Sequence, residues 1–168
     1  MVQSDLLEDP MKSRILSSAI SLSGMLLLGC GGRAASINTG ALGVGDRWNA
    51  TLATPTQLIG AIQVTGTGWM AADEDATQTR AGATIANATP GGEHPWHVHV
   101  GRCGSNGAIV GDASAYRPLK VGGSGRAEAS AKLNLPLPRS GEFYVNVHAS
   151  ATNLGTIIAC GNLAPPTR

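Results

Sequence analysis

The chain contains few aromatic and few charged side chains. Of its 168 residues, one is phenylalanine, two are tyrosine and three are tryptophan, and only 14% are charged. The net charge is +1 and no basic patch or stripe is visible, so the sequence argues against a nucleic-acid partner. Long amphipathic helical patterns are also missing. Instead, 23 glycines separate short apolar runs, which predicts short strands joined by tight turns.

One uncharged segment near the N-terminus is typical of an export signal. Lys12 and Arg14 precede fourteen apolar or small residues, 15–28, too few to span a bilayer comfortably but typical of the core of a signal peptide. The segment ends in Leu27-Leu28-Gly29-Cys30, which resembles the lipobox of bacterial lipoproteins, where the cysteine is acylated. We therefore predict a signal region at residues 1–29, with translation starting at Met11, and a lipid on Cys30. An ordinary signal peptide or a buried helix with an incidental cysteine is the alternative.

The rest of the chain is predicted to be one exported domain on a tether. After Cys30, residues up to 45 are small and polar, which favours a flexible tether, and residues 46–168 form the domain. The protein would lie in the bacterial cell envelope or periplasm, attached to a membrane through the lipid alone. In that oxidising compartment, Cys103 and Cys160 are expected to form a disulfide bond. Two free buried thiols are the alternative.

The domain carries short strand patterns interrupted by glycine and proline. Apolar and polar residues alternate from 126 to 135, after the turn sequence at 122–125. In the next pattern Phe143, Val145 and Val147 face the core, and Tyr144, Asn146 and His148 face outward. The acidic cluster at 73–75 indicates a solvated hairpin tip. About seven such strands, at residues 48–52, 58–70, 77–87, 96–100, 126–135, 143–148 and 156–163, predict an all-β antiparallel sandwich or barrel.

Three of the four histidines lie close together in the sequence His94-Pro95-Trp96-His97-Val98-His99. In a strand, Trp96, Val98 and Val100 would point to one face, and His97 and His99 to the other. Two imidazoles at positions i and i+2 can clamp a metal ion, and His148 could complete the site from another strand. The alternative is two exposed surface histidines beside an unrelated third.

The segments that carry these histidines resemble the copper/zinc superoxide dismutase family. Residues 94–99 are similar to the family's HGFHVH strand, and Cys103 follows as the family's first disulfide cysteine does. His148, then Leu154-Gly155, then Ala159-Cys160-Gly161 resemble the late copper ligand and the LACG segment with the second cysteine. The match runs from about residue 48 to 163, and it implies a Greek-key β-sandwich or barrel. It also implies that His97, His99 and His148 bind copper, that His94 supports the ligand strand by hydrogen bonding, and that the disulfide holds the ligand loop.

The zinc half of the family's site has no counterpart in this sequence. Between Cys103 and the next strand there is no histidine, and the one acidic residue is Asp112, so a single copper ion and no zinc is expected. Ile157 stands where the family has an arginine that guides superoxide. Arg102, Arg117 and Lys120 are the cations that could act in its place. The pattern resembles shorter bacterial relatives that lack zinc ligands.

The resemblance implies a copper-binding envelope lipoprotein that disproportionates superoxide. Its partners would be the metal ion, superoxide and, through the lipid, a membrane. If the protein is an enzyme, it is expected to be a copper-only superoxide dismutase. Two alternatives stay open: a non-enzymatic protein that binds or buffers copper, and a structural β domain in which the histidines bind nothing.

Overall fold

The computed structural model describes residues 47–61 and 63–166. The predicted signal region, the predicted lipid attachment site Cys30 and the predicted tether lie outside these residues. Within them, strands account for all regular structure except two 3₁₀ helices of three residues, Thr56–Leu58 and Ala113–Ala115. No helix in this part of the chain is long and apolar enough to cross a membrane. The predicted all-β class is confirmed.

The described residues form nine strands, seven of them in one curled antiparallel sheet. Its strand order is β5-β8-β9-β1-β2-β3-β7, and β4 and β6 form a separate two-stranded pair. β1 to β3 are a meander, whereas the chain crosses the sheet three times, from β3 to β5, from β5 to β7 and from β7 to β8. Crossings of this kind characterise Greek-key folds. The strands are β1 (Arg47–Ala53), β2 (Thr65–Ala72), β3 (Thr79–Ala86), β4 (Glu93–His94), β5 (Trp96–Val100), β6 (Leu119–Lys120), β7 (Ala127–Leu133), β8 (Phe143–Ser150) and β9 (Asn153–Leu163).

Alternating burial places the core on the concave side of the sheet. In β1, Trp48, Ala50 and Leu52 are buried between exposed neighbours, as the two-residue period of a strand requires. Trp96 and Val98 of β5 are fully buried in the same core, as predicted. Val100 shares their strand parity, but it ends β5 and is 49% exposed, so it does not contribute to the core as Trp96 and Val98 do.

The polar face of β8 differs from the expectation. Tyr144, Asn146 and His148 do lie on the face opposite the core, but all three are buried rather than open to solvent. β8 runs between β5 and β9, and the loop after β5 folds over its outer face. In that loop the Gly107 N–H donates a hydrogen bond to the Tyr144 hydroxyl at 3.0 Å. Strand parity predicted the direction of these side chains, whereas the loop decides their burial.

Two turns agree with the sequence and one strand is shorter than expected. The acidic cluster at 73–75 lies in the turn between β2 and β3, and the Asp73 carboxylate pairs with Lys132 at 2.9 Å. Gly125, at φ 72°, closes the predicted turn before β7. The strand expected from residue 58 begins only at Thr65, and residues 56–58 form a 3₁₀ helix after Pro55 instead.

Candidate metal centre

Three imidazoles converge on the outer face of β5 and β8. His97 and His99 share that face of β5, and His148 comes from β8, which pairs antiparallel with β5. Their candidate ligand nitrogens all lie within 4.8 Å of one another. In the described part of the chain, this is the one group of three metal-binding side chains arranged so closely. The structure therefore brings together the three histidines that the sequence singled out.

Backbone carbonyls determine which nitrogen of two rings faces the centre. The His99 Nδ1–H donates to the Gly107 carbonyl at 2.8 Å, and the His148 Nδ1–H donates to the Leu154 carbonyl at 2.7 Å. A carbonyl can only accept, so the proton of each neutral ring lies on Nδ1 and the lone pair on Nε2. Outer hydrogen bonds of this kind orient the imidazoles that bind metal ions.

His97 presents its other nitrogen to the group. Its Nδ1 lies 3.2 Å from the His148 Nε2. That separation is less than twice the 2.0–2.1 Å of a metal–imidazole bond, so both atoms can reach one ion. The His99 Nε2 is buried and has no hydrogen-bond partner, which is costly for a polar atom unless a ligand binds it. The donor set therefore fits a metal ion held by three imidazoles.

The surroundings favour the neutral form of these rings. Burial, followed by the proximity of His148 and His99, lowers the pKa of His97 to about 4. Burial also lowers the pKa of His148, although its hydrogen bond to the Leu154 carbonyl acts in the opposite direction. Neutral imidazole is the form that binds a metal ion. At neutral pH, His97 and His148 are thus in their binding form.

Two tyrosines that the sequence analysis did not assign to the site pack against the imidazoles. Tyr144 stacks on His99, with ring centroids 5.1 Å apart and an interplanar angle of 17°. Tyr116 meets His97 edge-on at 5.2 Å, and its hydroxyl donates to the Val110 carbonyl at 2.7 Å. Tyr144 points to the same face of β8 as His148, and this shared parity could have indicated that Tyr144 lies near the site. Nothing around Tyr116 in the sequence indicates its contact with His97.

His94 lies behind the centre and does not join it. Its Nδ1–H donates to the carbonyls of His148 and Ala149, at 3.1 and 2.9 Å. These bonds attach β4 to the part of β8 that carries His148. A residue that supports the ligand strand would make hydrogen bonds of this kind. A role of His94 in metal binding stays a prediction.

The predicted disulfide between Cys103 and Cys160 is confirmed. It joins the loop after β5 to β9, with the two Cα atoms 6.0 Å apart. The Cys103 N–H also donates to the Asn162 side-chain oxygen at 2.8 Å. The same loop carries Gly107, whose carbonyl orients His99. The disulfide therefore restrains the segment that positions one of the three imidazoles.

The cations proposed to guide an anion are mostly engaged elsewhere. Arg102 pairs with Glu142 at 2.6 Å, and Lys120 lies 3.9 Å from a Glu93 carboxylate oxygen. Ile157 lies opposite His148 in the ladder between β8 and β9, so the residue that the sequence resemblance aligns with an arginine is apolar here.

Asp112, the one acidic residue between Cys103 and the next strand, has a local structural contact. Its carboxylate accepts the Ser114 N–H at 2.8 Å and caps the 3₁₀ helix Ala113–Ala115. This hydrogen bond also lowers the pKa of the Asp112 carboxyl. The absence of a zinc ion remains a prediction from the sequence.

Comparisons with family models and with curated proteins identify no relative of this chain. The chain matches no known family model, and no curated protein is significantly similar to it. The likeness to the copper/zinc superoxide dismutases therefore rests on the residues quoted above, and what the structure itself shows is an all-β domain with a three-histidine group that could bind a metal ion.

Proposed function

We propose that the protein binds one copper ion through His97, His99 and His148 and disproportionates superoxide in the bacterial cell envelope. The observation that carries the proposal is the convergence of three imidazoles, one of which has a buried Nε2 without a partner. Three imidazole ligands suit copper, which also stands highest among the divalent first-row metals in intrinsic affinity for such sites. The sequence resemblance to the dismutase family supports the reaction.

Each residue around the centre has a defined part in this proposal. Gly107 and Leu154 orient the Nε2 atoms of His99 and His148, and Tyr144 and Tyr116 hold the planes of the rings. Bound copper would supply one-electron oxidation and reduction of superoxide. Because the chain has no bridging histidine, the protons that peroxide needs come from solvent.

Metal analysis and copper titration test the binding half of the proposal. Protein prepared from the periplasm should contain one copper per chain. Replacing His97, His99 or His148 with alanine should weaken copper binding by more than about 100-fold, beyond the effect expected for an outer-sphere residue. His94→Ala is the matched control, because it removes a histidine but keeps all three converging nitrogens. Equal losses in all four variants would contradict the assignment.

Superoxide decay, followed by stopped flow at equal copper concentrations, tests the catalytic half. The copper-loaded protein should consume superoxide far faster than the His148→Ala variant under the same conditions. A second candidate function is non-enzymatic copper binding or buffering, which Ile157 favours because no guiding arginine stands beside His148. One tightly bound copper per chain without accelerated decay would support this second function. Protein that binds no metal would be a structural β domain.

A further inference from the structure

A cationic cavity lies on the outside of the sheet, apart from the three histidines. It is a hollow of about 500 Å³, open to solvent, with two alanines and five exposed polar side chains from β3, β7 and the segment before β6 in its wall. The five polar residues are Arg80, Ser114, Arg117, Ser130 and Lys132. The lining contains no carboxylate, and none of its residues belongs to the candidate metal centre.

The fold gathers the three cations from distant parts of the chain. Arg80 of β3 stands directly opposite Lys132 of β7 in the antiparallel ladder. Like charges at directly opposite positions destabilise a sheet. Arg117 adds a third positive charge from the segment that follows the 3₁₀ helix Ala113–Ala115. The Asp73 carboxylate offsets part of this repulsion, and an anion in the cavity would offset it further.

The Asp73 carboxylate lies close enough to both Lys132 and Arg80 for their positive charges to lower its pKa. The Lys132 ammonium pairs with Asp73 at 2.9 Å. In residues 47–61 and 63–166, neither Arg80 nor Arg117 has a carboxylate oxygen within 4.0 Å. Arg117 also borders a second hollow that contains Glu93 and Glu128, but neither comes within ion-pair distance. Among the described residues, Arg80 and Arg117 therefore line the cavity without a direct ion pair.

We propose that this cavity binds a phosphate group, either as free inorganic phosphate or as part of a lipid headgroup. A guanidinium presents a planar fork of N–H donors that matches phosphate oxygens, and two such forks border the cavity. The hydroxyls of Ser114 and Ser130 supply further donors at its wall. The site is independent of the proposed copper chemistry, so either proposal can fail without the other.

Titration of the metal-free protein with inorganic phosphate tests the site. Calorimetry at constant ionic strength, with chloride as the balancing anion, should show saturable binding. Arg80→Gln and Arg117→Gln should each weaken it about tenfold or more, as the loss of a charge-assisted hydrogen bond predicts. The matched control is Arg139→Gln, which removes the same charge from an exposed position outside the cavity and should leave binding unchanged.

A second arm distinguishes the two sources of phosphate. The Cys30→Ser variant, which would lack the lipid, is mixed with phosphatidylcholine vesicles with or without phosphatidylglycerol. Association with the anionic vesicles that Arg117→Gln abolishes and Arg139→Gln preserves would identify a lipid headgroup, whereas phosphate binding without vesicle association would identify the free ion. Circular dichroism confirms that each variant is folded. No saturable binding in either arm, or equal losses in Arg117→Gln and Arg139→Gln, would overturn the proposal.

Discussion

Removing the Cys103–Cys160 disulfide should lower the free energy of unfolding by about 4 kcal/mol. The bond joins residues 57 positions apart. On the chain-entropy description, closing a loop of that length restricts the unfolded chain by roughly 4 kcal/mol at 25 °C. A domain of ordinary stability has about 5–15 kcal/mol in total. The variant with both Cys103→Ala and Cys160→Ala should therefore stay folded, with roughly 1–11 kcal/mol remaining.

Urea unfolding of the metal-free protein, followed by tryptophan fluorescence, measures this loss. Three samples are compared: oxidised protein, the same protein in reductant, and the double alanine variant. Reductant should destabilise the native-sequence protein and leave the double variant unchanged, because the variant has no bond to break. If the reduced protein and the double variant both stay within about 1 kcal/mol of the oxidised protein, the loop-closure reasoning is refuted.

The copper affinity of the same double alanine variant tests a second effect of the disulfide. The disulfide holds the loop in which the Gly107 carbonyl accepts the His99 Nδ1–H. Freeing that loop should loosen the orientation of His99, and loss of such an outer contact costs about 10–100-fold in metal affinity. Copper affinity equal to that of the oxidised protein would show that His99 is oriented without help from the disulfide.

Three further predictions concern pH, the supporting histidine and the anchor. As pH falls from 6.5 to about 4, the free energy of unfolding of the metal-free protein, measured in urea, should fall by at most about 3 kcal/mol more than that of His97→Gln. The reason is that His97 binds its proton less readily in the folded than in the unfolded protein. If the unfolding free energies of the two proteins change in parallel with pH, this prediction is contradicted. Partial exposure of His97 makes the figure an upper limit. His94→Ala should cost about 1–2 kcal/mol in unfolding, through the lost bonds to the β8 carbonyls, while one copper per chain still binds; loss of copper without loss of stability would contradict a supporting role. Cys30→Ser should move the protein from the membrane fraction to the soluble fraction, and unchanged partitioning would rule out the lipid anchor.

Much of the candidate site could be predicted from local sequence. The two-residue period of a strand assigns His97 and His99 to one face and Trp96 and Val98 to the other, whatever the rest of the fold. The disulfide followed from the cysteine count and the expected compartment. The same periodicity identified the core face of β7 and the direction of His148. These are properties of neighbouring residues or of composition, so one sequence is enough to state them.

Only the tertiary structure decided what surrounds those side chains. The 3.2 Å between His97 and His148 depends on the register of β5 against β8, two strands separated by more than forty residues. The burial of Tyr144 and the contact of Tyr116 with His97 depend on how the long connection after β5 folds back over the sheet. Strand parity determines which way a side chain points. The burial of that side chain, its hydrogen-bond partners and its pKa are determined by segments remote in sequence, because these segments meet only when the core packs.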